Sequence, residues 1–215
     1  MPTFQYTSRK GVSYYLHGRP GRGGTTRYTL KRSKEGALAE LPPGYEVVEN
    51  VNGQASVRRA RPRQISVQEE AVVQSGLAQH GLDAYRLEVK DGQITIFEPD
   101  RDPAAIAIEF NPLDMMPAGI GKWVEAMARA RFGDAAMDQY LRERKERLRQ
   151  QLESTTRYAP VLRFKLVDRK RLLFEVARMT YRGEGGWHAL AIMPLATAVK
   201  KYVKHVGRDS FFELM

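Results

Sequence analysis

The sequence predicts an α+β protein, and three observations carry that reading. Short runs of alternating polar and apolar residues are joined in pairs by turn-forming dipeptides, the mark of antiparallel hairpins. Longer runs place apolar residues at helical spacing and stop on glycine. An apolar fraction of 42% over 215 residues supplies enough side chain to bury a core. Two parts are expected: a small basic ββ-α-ββ module over residues 1–62, and a larger body over 63–215 with mainly antiparallel strands and three or four helices.

In the module, residues 13–16 and 26–31 read as strands around a Gly/Pro-rich turn at 18–24. Ser33 reads as the cap of a short helix over 34–41, which Gly36 weakens and Pro42-Pro43-Gly44 ends. Residues 45–49 and 54–59 read as two more strands around Asn52-Gly53, a pair that tolerates the positive φ of a tight turn. About sixty residues make a marginal core, so the module is expected to lean on the rest of the chain.

In the body, Ser66 and Glu69 form a capping box that opens a helix to about residue 80, with Gly81 as its stop. Residues 84–90 and 93–98 form the clearest hairpin, with Leu87 and Val89 answered across Asp91-Gly92 by Ile94 and Ile96. Residues 105–110 read as a strand with Ile106, Ile108 and Phe110 on one face. Helices follow over 120–132 and 135–153. On the second, Arg142, Arg144, Arg147 and Arg149 alternate with Glu143 and Glu146, the pattern of a solvated face with local ion pairs. In the strands at 161–168 and 172–179, a three-residue turn at 169–171 puts Leu162, Phe164 and Leu166 on the face of Phe174 and Val176. A last strand over 187–193 leads to a helix over 195–205, stopped by Gly207. Phe211, Phe212 and Leu214 in the tail read as an apolar plug.

Charge is the main functional signal. Residues 1–65 hold twelve Lys/Arg against four Asp/Glu, whereas the other 150 residues are nearly balanced. A concentrated basic segment is the electrostatic footprint of a polyanion, most often nucleic acid. The candidate contact residues are Arg19, Arg22, Arg27, Lys31, Arg32, Arg58, Arg59 and Arg61. The leading expectation is a non-catalytic nucleic-acid-binding protein. The alternatives are an adaptor for an acidic protein and, third, a metal-dependent nuclease.

Other classes are poorly supported. With no cysteine, disulfides, thiolate metal sites and cysteine nucleophiles are excluded. No stretch approaches the ~20 apolar residues of a membrane span, and residues 1–11 lack the apolar core of a secretory signal, so a cytoplasmic protein is expected. The turn at 18–24 lacks the lysine and Ser/Thr of a phosphate-binding P-loop. His17, His80, His188 and His205 are scattered, with no metal-ligand spacing; His80 and His205 fall at helix C-termini and read as caps. No residue pattern asks for a cofactor. A nuclease reading would use Glu88 and Lys90, just before Asp91, with carboxylates from Asp83 and Glu98, but alternation puts Glu88 and Lys90 on the solvent face of a half-buried hairpin. Glu184 and His188, in a glycine-rich stretch at 178–188, are the remaining acid–base candidates. Tyr14, Tyr15 and Tyr28 alternate with bases as stacking platforms do, although strand tyrosines more often pack in a core.

The runs YYLHGRPGRGGTTRY, PPGYEVVENVNGQASVRR and YVKHVGRDSFFEL resemble an uncharacterised family of bacterial proteins, a resemblance that brings no activity, cofactor or catalytic residue. Separately, strand–turn–strand followed by Ser33-Lys34-Glu35-Gly36-Ala37-Leu38 loosely resembles the arm-binding domain of tyrosine recombinases. There, a three-stranded sheet backed by one helix lies in a DNA groove. That resemblance implies a basic sheet surface and a third strand at 3–8. No recombinase catalytic constellation follows.

Overall fold

The computed structural model describes residues 2–117, 119–180 and 186–214. Ten strands lie among them: β1 (Gln5–Thr7), β2 (Ser13–Pro20), β3 (Thr26–Lys31), β4 (Tyr45–Glu49), β5 (Ala55–Arg59), β6 (Arg86–Lys90), β7 (Gln93–Pro99), β8 (Tyr158–Asp168), β9 (Leu173–Thr180) and β10 (Gly186–Pro194). The α-helices are α1 (Val67–Gln79), α2 (Pro103–Glu109), α3 (Ile120–Phe132), α4 (Asp134–Thr155) and α5 (Leu195–Tyr202). The fold is α+β, with three antiparallel sheets ordered β1-β2-β3, β4-β5 and β10-β9-β8-β7-β6. The chain divides into two compact units, Met1–Pro99 with Tyr158–Met215, and Asp100–Arg157. The basic segment 1–62 lies wholly in the first.

The core of the first unit follows from strand alternation. Ile94 and Ile96 of β7, Leu162 and Phe164 of β8, and Phe174 and Val176 of β9 share one face of the five-stranded sheet, and all are fully buried. Val73 and Leu77 of α1 and Ala198, Val199 and Tyr202 of α5 close over them. The capping box at α1 is formed: Ser66 Oγ accepts from the Glu69 N–H at 3.2 Å, and the Glu69 carboxylate accepts from the Ser66 N–H at 2.6 Å. Burial works to raise the Glu69 carboxyl, but these bonds and Arg169 hold it below the usual carboxylate range.

The β8–β9 pairing has the expected register, Phe164 opposite Val176 and Leu166 opposite Phe174. A bulge after Leu166 then pairs Asp168 with Leu173, so the loop has four residues, 169–172, rather than three. The position that wants glycine is filled by Leu172, at φ +52° and half exposed. A leucine there carries left-handed strain of about 1–2 kcal/mol. Leu172→Asn is therefore expected to raise stability by roughly 0.5–1 kcal/mol, because Asn tolerates this region better; an unchanged or lowered melting temperature would contradict it.

Three expected elements are corrected. No helix forms over 34–41, so the module is not ββ-α-ββ. The Ser33 hydroxyl instead accepts from the Glu35 N–H (3.2 Å) in a local turn, and the Ala37 N–H closes the next turn on the Lys34 carbonyl (3.2 Å). A side chain that caps helices also serves turns, and the turn prevails beside Gly36. Leu38 then bridges Phe4 and β2: its N–H bonds the Leu16 carbonyl (2.8 Å) and its carbonyl accepts from the Phe4 N–H (2.9 Å). Second, the strand expected over 105–110 is the helix α2. Asp102 Oδ1 accepts from the Ala104 and Ala105 N–H groups (2.9 and 3.1 Å), and Pro103 occupies the first helical position. Ala107, between the two isoleucines, is the buried residue, while Ile106 and Ile108 are exposed. Third, Phe212 is not part of the C-terminal plug: Phe211 is buried in the core and Leu214 packs against it, but Phe212 is 67% exposed.

In the second unit, α2 and α3 each pack on α4, burying Ala107, Leu113 and Met137. Arg129 ties the α3–α4 corner through Glu125 (2.9 Å), Asp134 (3.2 Å) and Asp138 (3.0 Å), contacts that push its guanidinium pKa further upward. No helix among the described residues is long and apolar enough to cross a membrane.

Candidate nucleic-acid interface

The ladder of β2 and β3 decides which cations share a surface. Arg19 stands directly opposite Arg27, His17 opposite Thr29, and Tyr15 opposite Lys31. Because alternate residues point to one side, Arg19, Arg27 and Lys31 lie on one face with Tyr15. Leu16, Leu30, Tyr14 and Tyr28 lie on the other. That apolar face is held by Leu16, which is fully buried, and by an edge-to-face contact of Tyr28 with Tyr45 (4.7 Å). On the basic face, His17 is buried with Nε2 2.9 Å from the Ser33 carbonyl oxygen, so that nitrogen carries the proton. β2 runs on to Pro20, longer than expected, while β3 starts at Thr26 as expected, and the Gly21 N–H closes the tip on the Thr25 carbonyl (2.6 Å). Gly23 and Gly24 turn the chain at φ +72° and +74°. Arg22 lies in this turn; its side chain is outside the described residues.

Arg19, Arg27 and Arg32 are exposed and Lys31 half-buried, and among the described residues none of the four forms an ion pair. Like charges directly across a ladder are destabilising, by about 0.2–1 kcal/mol. The Arg19–Arg27 pair is thus a small built-in cost that a bound anion would relieve. Arg19→Glu converts it to an attractive pair and is expected to strengthen this hairpin. Amide exchange of β2 and β3 should slow several-fold; faster exchange would show that Arg19 has a stabilising role instead.

The second set of predicted residues sits elsewhere, and each member is engaged by another side chain. Arg58 bonds Glu46 (2.8 Å), Arg61 reaches Asp91 (3.5 Å), and Arg59 stands over the Tyr45 ring (6.0 Å). They line a groove of ≈970 Å³ between the β4–β5 hairpin and strand β6, together with Arg9 and Lys90. Sequence reading passed over Arg9, whose guanidinium holds Glu49 at 2.9 Å. Burial works to raise the Glu49 carboxyl, but hydrogen bonds from Arg9 and Tyr6 hold it below the usual carboxylate range. The signal that separates the two sets, strand parity at 15–17–19 and 27–29–31, is present in the sequence once the strands are known to run past residue 16.

The remaining candidates are dispersed. Glu88 and Lys90 line the groove, while Glu98 accepts the Tyr85 hydroxyl (2.7 Å); burial, together with this bond to a carboxylate, pushes that phenol far above its usual range. No group of three or more His, Asp or Glu among the described residues is arranged to hold a metal ion. Glu184 lies outside the described residues; His188 is exposed, and Trp187 beside it sits under the Arg163 guanidinium at 4.5 Å. His205 Nδ1 is 2.9 Å from the Ser210 hydroxyl. Two arginines of α4 are paired within the helix, Arg147 with Glu143 (3.2 Å) and Arg149 with Glu153 (3.0 Å). Comparison with protein-family models, with curated proteins and with solved structures finds no match to this chain.

Proposed function

We propose that this protein binds nucleic acid without cleaving it, through the basic face of its N-terminal sheet. The observation that carries the reading is the Arg19–Arg27 pair: two guanidiniums held opposite each other at a hairpin tip, with no acid paired to either among the described residues. Lys31 and Arg32 continue the same unpaired charge along β3 and just beyond it. Phosphate contacts of this kind fix position and supply affinity without sequence choice. Tyr15, beside Lys31, adds a ring on the same face. Association is expected to be fast and steeply salt-dependent.

Competition tests it against the adaptor reading. A labelled duplex of mixed sequence is bound at low salt and then challenged with unrelated DNA, with RNA and with an acidic protein. Displacement by either nucleic acid at similar phosphate concentration is expected. No duplex binding at all, at ~50 mM salt, would overturn the proposal and leave the acidic protein as the partner to pursue.

A further inference from the structure

The groove beside β6 has a property that the hairpin face lacks. β6 is the outer strand of the five-stranded sheet. The two-residue turn Asp91-Gly92 makes Lys90 and Gln93 a hydrogen-bonded pair, so the ladder bonds also fall on Glu88–Thr95 and Arg86–Phe97. Leu87 and Val89 then direct their N–H and C=O groups away from β7. Their side chains pack against the core, and both residues line the groove. Among the described residues, no backbone or side-chain hydrogen bond outside the ladder engages either one.

The walls set the charge of a guest. Across from β6 stand Arg58 and Arg59 of β5, with Arg61 and Arg9 nearby and Lys90 at the near end. Five basic side chains face Glu49, Glu88 and Asp91, and Glu49 is already consumed by Arg9. Arg59 and Lys90 have no ion-pair partner among the described residues, and the Arg61–Asp91 contact is long and exposed on both sides, so it exchanges easily. Among the described residues no aromatic side chain lines the groove, which removes the stacking platform that single-stranded nucleic acid uses.

We propose that this groove accepts an extended acidic peptide as an added strand on β6. The main-chain groups of Leu87 and Val89 bond the peptide backbone, and Arg59, Arg61 and Lys90 meet its carboxylates. Main-chain bonding gives such complexes their affinity and side-chain contacts their choice of sequence. At ~3.3 Å per residue, four or five peptide residues span the length of β6. The site is separate from the proposed nucleic-acid surface, and neither depends on the other.

The probe is a fluorescent eight-residue peptide of alternating Val and Asp, run against two versions N-methylated at alternate residues, one at every Val and one at every Asp, of which one blocks the N–H groups that bond β6 and the other does not. Saturable binding to the full chain is expected. It should weaken at least tenfold on N-methylation of the bonding set, and at least tenfold in the Arg59→Glu, Lys90→Glu double variant, whose changes are both on the surface. In the wild-type complex, exchange of the Leu87 and Val89 amides should slow at least tenfold. Absence of binding, equal binding of both N-methylation patterns and the parent peptide, or protection of those two amides by single-stranded DNA rather than by the peptide would each overturn the proposal. The Arg19→Glu variant should bind the peptide normally, which distinguishes failure here from failure of the nucleic-acid reading.

Discussion

Phe211→Ala is expected to cost 3–5 kcal/mol, whereas Phe212→Ala, one residue on, should change stability by less than about 0.5 kcal/mol. The two rings touch edge to face at 5.9 Å, but only Phe211 is buried, at 4% exposure, among Tyr202, Val203 and Val206. At roughly 2–4 °C per kcal/mol for a chain of this size, the first substitution should lower Tm by about 10 °C. Deleting residues 209–215 should do at least as much, because it removes Leu214 as well. The rival idea is an apolar hook for a partner. A full-length Tm in the deletion variant would support the hook and contradict the plug.

The second large effect is at Gly76, where α1 crosses α5. A methyl added there would fall well inside van der Waals contact with Val199 Cγ1. Val199 is itself buried, so it has little room to turn away. Gly76→Ala gains about 1 kcal/mol of helix propensity but forces the helices apart, and overpacking of this sort costs 1–3 kcal/mol. Net loss of stability is expected. Val199→Ala alone should also destabilise, by opening a cavity. The double variant should recover most of the loss, because the new methyl occupies the vacated space. Additive losses in denaturant melts of the four proteins would show that the clash is absorbed elsewhere.

Most of the architecture was legible because it rests on strong local signals. The capping box at Ser66 and Glu69, the Asp91-Gly92 hairpin and the stop at Gly207 each combine a turn or cap residue with a long periodic run. The β8–β9 register followed from keeping five apolar residues on one face. The failures share a cause: segments too short for periodicity to outweigh turn chemistry. Ser33 beside Gly36 served a turn rather than a helix, and Asp102-Pro103 opened a helix where two isoleucines imitated strand alternation. At the candidate interface, net charge singles out a segment but treats its cations as equal. Which of them are unpaired depends on contacts between residues far apart in sequence, such as Arg61 with Asp91, and charge counting has no access to those. The strand parity that groups Arg19, Arg27 and Lys31 was hidden by ending β2 at residue 16, before Gly18, which in fact pairs with Tyr28.

If unpaired cations on the β2–β3 face hold nucleic acid, the salt dependence of duplex binding carries their signature. Two variants remove the same formal charge: Arg19, Arg27 and Lys31 to alanine, and Arg142, Arg147 and Arg149 of α4 to alanine. Each phosphate contact contributes about 0.9 to the slope of log K against log salt for duplex DNA. The first variant should therefore flatten the slope by roughly 2–3 and weaken binding at least tenfold near 0.1 M salt. The second, whose Arg147 and Arg149 are neutralised within their own helix, should retain the wild-type slope to within about 0.5. Equal flattening in both would reduce the effect to net charge, and an unchanged slope in the first would place the contact surface elsewhere.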